Sequence, residues 1–509
     1  MNQRQALALL EAGHNILLTG AAGSGKTFLL NKFISRARAA GKSVAVTATT
    51  GLAATHLGGN TIHAWSGMGV HDELSPYMIG SLSKGRLDNL TKAQILIIDE
   101  ISMLHDFRLD MLDTLLRQIR RSERPFGGLQ VVLCGDFFQL PPINRQGSRQ
   151  GGFVTGSLVW KQGNFTVCYL HGSQRQKDDA DFADLLNAIR SGDVSEVQFE
   201  RLQERMKSFS DPFEQITKLH TTNADVDTIN SVELDKVDST AYTYHMETTG
   251  KKHYVDSLKK SCLASEVLTL KQGALVMCIK NATDKKYVNG SLGTIVGFEP
   301  HTKYPIVALK SGDEITIKPD TWELTDGETR RAQLTQIPLR LAWAITVHKS
   351  QGMTLDAAEV DLSRAFTPGM GYVALSRVRN LQNLYLLGMN NMALRVSDEA
   401  MQLEADLQSS SRSAIANNLD VFTSAESRWT SEASKPSVEV STKKSISWSE
   451  KIAKMRGEYP NAYKPWTKDD DAKLINLNSG GTKTKELTSI FGRHPGSIRS
   501  RIKKLIEEE

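Results

Sequence analysis

The sequence is short of cysteine, of long apolar runs and of any targeting signal, and each shortage removes a class of protein. Its four cysteines in 509 residues, Cys134, Cys168, Cys262 and Cys278, are widely scattered and form no C-x-x-C pair. That spacing argues against a disulfide framework or a zinc site and fits a reducing compartment. The thiols read as small buried hydrophobes. No run of about 18 apolar residues occurs, so no membrane-spanning helix is expected. The start, "MNQRQALALL", carries neither a signal-peptide pattern nor an Arg/Ser-rich transit pattern. A cytoplasmic protein of bacterial or phage origin is the expectation. Neither an internal repeat nor a heptad array is visible.

What remains is ordinary globular material. Hydrophobic residues make up 40% and charged residues 23%, and the length suggests three or four domains. The net charge of +5 is uneven: residues 443–509 hold fifteen Lys or Arg against nine Asp or Glu, leaving about −1 over residues 1–442. The basic excess sits in the tail, where a polyanion is the obvious partner.

Short apolar runs alternate with helical patterns over the first 400 residues. "NILLT" (15–19), "SVAVTA" (43–48), "ILIID" (95–99) and "LQVVLCGD" (129–136) read as strands. Between them, Leu109, Leu112, Leu115, Leu116 and Ile119 recur at helical spacing. The alternation predicts an α/β fold with parallel sheets covered by helices. A second α/β region starts near Leu170, with strands at 216–221, 337–345, 358–362 and 383–388. Inside it, residues 285–325 change to short strands punctuated by Gly, Pro and Asp, predicting a small inserted β-barrel. Residues 405–462 read as a Ser-rich flexible linker, with short helices within it as the alternative. Order returns at 463–509 as three short helices.

"TGAAGSGKTFLL" (19–30) follows an apolar strand and opens an amphipathic helix. Gly20, Gly25, Lys26 and Thr27 match G-x-x-x-x-G-K-[ST], a loop whose N–H groups close around phosphates. Lys26 is expected at the β/γ-phosphates of ATP, and the Thr27 hydroxyl on Mg²⁺. In "ILIIDEISM" a buried strand ends in Asp99 and Glu100. Asp99 is read as the second Mg²⁺ holder and Glu100 as the base that activates water. Gln139, in "GDFFQLPPI", can donate to the γ-phosphate or to the attacking water; a surface glutamine beside a Pro-Pro turn is the plainer alternative. A positive finger is missing from the first 150 residues. Arg175 in "HGSQRQ" and Arg377 in "YVALSRVRN" are the candidates, which would put ATP between two domains.

"AWAITVHKSQGMTLD" (342–356) presents His348, Lys349, Ser350, Gln351 and Gly352 after a strand. Small donors, a cation and a glycine suit a phosphodiester backbone. In the first domain, Thr49, Thr50 and Gly51 follow a strand similarly, and His63 with Trp65 could stack on or pack beside bases. Each segment is equally a strand-to-helix turn with ordinary capping residues.

"GAAGSGKT", "VTATTGLAA…GGNTIHAW", "IIDEISM", "GDFFQLPPI", "YVNGSLGTIVGF", "AWAITVHKSQGMT" and "GYVALSRVRNL" occur in this order. Together they resemble the Pif-type (petite-integration-frequency) DNA helicases of superfamily 1B, over roughly residues 1–395. The resemblance implies two RecA-like P-loop domains, 1–170 with a wedge insert near 58–75, and 171–404 with the barrel as its insert. It implies that Gln5, with Asn2, reads the adenine edge, and that Gly23, Ser24, Gly25, Lys26 and Thr27 carry triphosphate and Mg²⁺. Gln139 becomes the γ-phosphate sensor, and Arg175 and Arg377 complete the site from the second domain. Residues near Thr50, His63 and His348 to Gln351 become strand contacts. The implied activity is ATP-dependent 5′-to-3′ translocation on single-stranded DNA with duplex unwinding, in replication, repair, recombination or telomere-like maintenance. Single-stranded DNA and its junctions with duplex are the implied partners, and a monomer the expected solution state. The alternative is a DNA-stimulated ATPase that displaces proteins without processive unwinding. Two positions depart from the family pattern: Arg4 stands where an acid is usual, and Gln174 where an aromatic is.

In the tail, Trp466, Leu474, Leu477, Leu487, Phe491, Ile498, Ile502 and Leu505 could form a three-helix core. The segment resembles a Myb-like or helix-turn-helix module, with Arg499 and Lys503 as DNA contacts from its last helix. A basic helix serving a protein contact is the other reading.

Overall fold

The computed structural model describes every residue except 70, 81, 145, 173, 207–215, 263, 283–285, 288–289, 310–311, 327–328, 435–458, 462–466, 481, 483, 508 and 509. Two compact units result, Met1–Ala425 and Glu426–Glu509.

The first α/β domain carries a six-stranded sheet. Its strands are β1 (Ile16–Gly20), β2 (Val44–Ala48), β3 (Asn60–Thr61), β4 (Ile95–Asp99), β5 (Gln130–Cys134) and β6 (Thr166–Leu170). The spatial order is β3-β2-β4-β5-β1-β6 and every pairing is parallel. A parallel sheet with helices on both faces buries its strands completely, so they read as continuous apolar runs. β1 and β4 are buried along their whole length. Helix Asp106–Arg120 buries Leu109, Leu112, Leu115 and Leu116, four positions of the predicted stripe, while Ile119 packs partly buried beside them.

β7 (Thr217–His220) opens the second domain. The chain then leaves for a β-rich insert: β8 (Ala241–His245), β9 (Glu247–Gly250), β10 (Val267–Lys271), β11 (Leu275–Cys278), β12 (Leu292–Phe298), β13 (Pro305–Leu309), β14 (Glu314–Thr316), β15 (Asp320–Asp326), β16 (Thr329–Gln336) and β17 (Leu339–Leu341). These form sheets ordered β14-β13-β12-β11-β17, β15-β16-β9 and β10-β8, all antiparallel. The insert is therefore wider than the expected 285–325. β8 and β9 are exposed or alternate between exposed and half-buried, so no apolar run betrays them. The chain returns through β18 (Ala344–Thr346), β19 (Ala358–Leu362) and β20 (Leu384–Met389), which with β7 make a parallel sheet ordered β18-β7-β19-β20. The apolar run 337–345, expected as one strand, is two. β17 pairs with β11 in the insert and β18 with β7 in the α/β sheet, and buried Trp343 sits at the corner between them.

The expected linker 405–462 requires correction over its first part. Residues Asp398–Asn417 and Leu419–Ser434 are helical. In the first of these helices Ala400, Leu407, Ser411 and Ala414 face inward, and the Ser411 hydroxyl accepts from the Tyr169 N–H of edge strand β6 at 3.1 Å. A buried face made largely of Ala and Ser has little hydrophobic contrast, which is why it reads as linker. Residues 435–458 of that expected linker, and Trp466, lie outside the described residues.

In the second unit, helices Lys468–Ser479, Thr484–Phe491 and Pro495–Glu507 pack through Leu474, Leu487, Phe491 and Ile498, with Leu477, Ile502 and Leu505 partly buried. Arg501 makes a two-pronged ion pair with Asp471, its Nε donating at 2.7 Å. Arg499 is exposed on the last helix, and the Lys503 side chain lies outside the described residues.

Candidate functional site

The P-loop, β4 and β5 all end on the same edge of the first sheet, where ligands bind in open α/β folds. Helix Lys26–Ala39 starts at Gly25, whose φ of 91° is the left-handed conformation that favours glycine. A Cβ there would stand 2.3 Å from Gln3 Nε2. Lys26 Nζ donates to the Gly20 and Ala21 carbonyls at 2.8 and 2.9 Å. The Ser24 hydroxyl is buried with no hydrogen-bond partner. An orphaned buried donor beside a helix N-terminus fits a phosphate oxygen.

A cavity of about 490 Å³ opens here, lined from the first domain by Gly23 to Thr27, Asp99, Glu100 and Gln139, and from the second by Arg175, Thr354, Arg377 and Arg379. The two expected fingers thus converge on the loop from residues far along the chain. Arg377 is buried, its guanidinium donating to the carbonyls of Val373, Ser350 and Met353 at 2.7, 3.3 and 3.2 Å and to the Ser376 hydroxyl at 2.7 Å. Burial, then the neighbouring Arg175 charge, lowers Arg377 to about 9. Arg175 donates to Thr354 Oγ1 at 3.0 Å and to the Ser376 carbonyl at 2.8 Å. Two guanidiniums that disfavour each other side by side on one wall of a cavity fit a polyanion.

Asp99 ends β4, and Glu100 follows with φ of 53°, a region costly for any residue but glycine. The Glu100 N–H donates to Asp99 Oδ1 at 2.9 Å. Burial and then the Asp99 charge push Glu100 up to about 7, against Lys26 and Arg377. Burial also raises Asp99, against the Cys134 thiol, the Glu100 N–H and Lys26. Among the described residues no cluster of three or more His, Cys, Asp or Glu could hold a metal alone. One or two carboxylates beside a phosphate site is the donor set that Mg²⁺ uses, so Asp99 and Thr27 fit it.

Gln5 caps its own helix. Its side chain and that of Asn2 close a reciprocal cap on helix Gln3–Glu11, at 3.0 and 2.9 Å, and Gln5 is not among the cavity's lining residues.

The expected strand contacts divide. His348 and Lys349 are half-buried; the His348 ring stacks near exposed Phe366, and Lys349 Nζ donates to Asn223 Oδ1 at 3.1 Å. The side chains of Ser350 and Gln351 turn inward. The Ser350 hydroxyl is buried and donates to the Val347 carbonyl at 2.8 Å. Gln351 Nε2 donates to Glu100 Oε2 at 2.9 Å and to Gln139 Oε1 at 3.2 Å. The cause is a tight turn at His348–Ser350, which sends successive side chains to opposite sides. Thr49 donates its hydroxyl to the Glu100 carbonyl at 2.8 Å. The Thr50 hydroxyl accepts from the Ala53 N–H at 3.2 Å, as a cap for the helix that starts at Gly51. Burial lowers His63 to about 4, so its ring is neutral near pH 7.

Sequence reasoning missed Tyr372 and Asp136. The Tyr372 hydroxyl accepts from the P-loop Ala22 N–H at 2.9 Å and donates to Asp136 Oδ2 at 3.2 Å. Asp136 Oδ1 is paired with Arg190 at 2.9 Å, and Arg190 reaches Glu404 at 3.3 Å. Both Tyr372 and Asp136 lie inside motifs already singled out, but nothing local in the sequence says that they meet.

A family model for PIF1-like helicase matches residues 2–200, and one for the DNA helicase Pif1 2B domain matches residues 253–298. The chain is 41% identical over 457 residues to the ATP-dependent DNA helicase Pif1 of Psychrobacter sp., covering 78% of this chain and 69% of that one. Its fold is similar to the crystal structure of Pif1 helicase from Candida albicans, with a TM-score of 0.71, 33% identity, and coverage of 80% and 99% of the two chains. It is also similar to Pif1 helicase from Bacteroides solved with ADP-AlF3 and ssDNA, with a TM-score of 0.62, 33% identity, and coverage of 80% and 96%. The P-loop, the carboxylate pair, the two arginines from the second domain and these relationships lead to one conclusion: the chain belongs to the PIF1-like helicase family.

Proposed function

We propose that this protein is an ATP-dependent DNA helicase that moves 5′ to 3′ on single-stranded DNA and unwinds duplex, in replication, repair, recombination or related genome maintenance. The observation that carries this reading is the composite cavity: one wall holds the P-loop and the carboxylate pair, the other Arg175 and Arg377. The Bacteroides relative, solved with a nucleotide analogue and single-stranded DNA, supports the same pairing of ligands.

The chemistry follows from the residues. The Gly23–Thr27 loop and Lys26 hold the triphosphate, which pins the γ-phosphoryl group in line for attack. Thr27 and Asp99 would hold Mg²⁺, which would supply neutralisation of phosphate charge. Glu100, at the end of β4 beside Asp99, accepts the proton of the attacking water. Arg377 and Arg175 stabilise charge on the γ-oxygens and draw the two domains together. Loss of the γ-phosphate releases that attraction. His348, Lys349 and the Thr49–Gly51 turn grip the strand backbone on either side of the cleft. Opening and closing it converts each turnover into a step, with weak sequence preference because backbone contacts carry no base identity.

The proposed partners are single-stranded DNA and its junctions with duplex, and the proposed free state is a monomer in the cytoplasm. No described helix is long and apolar enough to cross a membrane. The test is unwinding of partial duplexes with 5′ or 3′ tails by the parent and by Lys26→Ala. The parent should open only 5′-tailed substrates and the variant neither. Opening by Lys26→Ala would remove the P-loop from the mechanism. DNA-stimulated hydrolysis without unwinding would instead favour protein displacement.

A further inference from the structure

We propose that Gln351 is a positioning residue that ties the strand-gripping turn to the water-activating groups; this rests on the roles given above to Glu100 and Gln139. A glutamine amide has two N–H protons. Gln351 Nε2 places one on Glu100 Oε2 at 2.9 Å and the other on Gln139 Oε1 at 3.2 Å. Glu100 and Gln139 belong to the first domain and Gln351 to the second, so this amide bridges the cleft. The residues it holds are the proposed base and the expected γ-phosphate sensor.

The orientation has a consequence for each partner. A donor on one carboxylate oxygen of Glu100 leaves the other to accept the proton. A donor on the Gln139 carbonyl oxygen turns the Gln139 amide N–H groups toward the remaining side, where a γ-phosphate oxygen needs donors. Gln351 therefore fixes the rotamer of both.

Gln351 is also fastened to the grip. It directly follows the His348–Ser350 turn, and its own N–H donates to the His348 carbonyl. Arg377, the finger, donates to the carbonyls of Ser350 and Met353 on either side of it. His348 and Lys349 lie on the opposite face of the same turn. A strand pulling on His348 and Lys349 moves a peptide segment to which Gln351 and Arg377 are both attached. The water-activating groups come into register only when that segment is seated. Burial of Gln351 (6% exposed) keeps bulk water from replacing its two hydrogen bonds.

The experiment is steady-state ATP hydrolysis by the full chain with Mg²⁺ and an oligo-dT probe, together with oligo-dT affinity by anisotropy. Gln351→Ala should lower kcat at saturating oligo-dT about tenfold while the KM for ATP and the Kd for oligo-dT stay within about twofold. That split separates positioning from both nucleotide and DNA binding, and from a general loss of fold. Any other distribution of the loss overturns the proposal, including a tenfold weaker Kd with parental kcat at saturation. Gln351→Glu, nearly isosteric, is judged by the same criterion should the alanine variant not fold, because it replaces the donor by a second carboxylate facing Glu100. Glu100→Gln separates the two levels. If it hydrolyses at the parental rate, the reading of Glu100 fails. If it is inactive while Gln351→Ala and Gln351→Glu turn over normally, only the role of Gln351 fails.

Discussion

Asp136 joins the catalytic edge of the first domain to the second, and its removal has a calculable cost. Its carboxylate is fully buried and accepts from Arg190 Nη1 at 2.9 Å, from the Phe138 N–H at 3.2 Å and from the Tyr372 hydroxyl at 3.2 Å. Burial by itself would lower Arg190, but Asp136, reinforced by Tyr372, Tyr169 and Glu404, more than reverses this and raises it above the ordinary arginine value. Asp136→Ala leaves that guanidinium buried with the Tyr169 hydroxyl at 3.1 Å, Glu404 at 3.3 Å and the face of Phe138 at 4.2 Å. Breaking a buried pair from one side costs about 3–5 kcal/mol, because the other charge is left uncompensated. The remaining Glu404 contact points to the lower end, about 3 kcal/mol. At roughly 2–4 °C per kcal/mol for a domain of this size, the melting temperature should fall by about 6–12 °C. The assay is thermal unfolding without nucleotide, followed by near-UV circular dichroism. Arg190→Met alone should cost a similar amount, and the double variant clearly less than the sum, since it removes both charges. A drop under 2 °C for Asp136→Ala, or strict additivity in the double variant, would refute the claim that this pair is energetically coupled.

Three further outcomes are expected. Arg377→Ala should lower kcat at saturating polynucleotide by about 10³, and should also lower the melting temperature, because three backbone carbonyls lose a buried donor; Arg377→Lys, which keeps charge without the planar fork, should not restore kcat. A stopped-flow phosphate-release assay beside calorimetry reads both. In the fold His63 stays neutral down to about 4, whereas its ordinary value is 6.5, so the unfolded chain binds more protons between these values and stability falls as pH drops through that window. His63→Gln should flatten the urea midpoint against pH between about 6.5 and 4, and an unchanged slope counts against a buried neutral ring. Removing residues 443–509 should weaken forked-duplex binding and reduce the slope of log Kd against log salt; an intact slope would argue that the basic tail serves a protein contact.

Much of this protein was legible locally. The P-loop is a contiguous loop whose glycines, lysine and threonine act through their own backbone, so its spelling and its shape are nearly the same thing. Strands β1, β4 and β5 announce themselves because burial on both faces demands unbroken apolar residues. Glu100 and Asp99 follow, since a strand of that kind delivers its last residues to the catalytic edge. Legibility failed where burial is not apolar or where a run changes partner. Helix Asp398–Asn417 buries alanine and serine, β8 and β9 bury little, and the run 337–345 serves two sheets in turn.

The sequence alone thus determined the P-loop and the parallel α/β class, because each rests on short-range geometry; the arginines of the second domain were candidates that only the resemblance assigned to the site. Only the tertiary structure decided which of His348, Lys349, Ser350 and Gln351 faces outward, and that Tyr372, Asp136, Arg190 and Glu404 form one chain of contacts. Partners 214, 236 and 251 positions apart are bonded there. The physical reason is that hydrogen bonds and ion pairs between distant segments are set by how the two domains pack, and packing leaves no periodic trace in either segment.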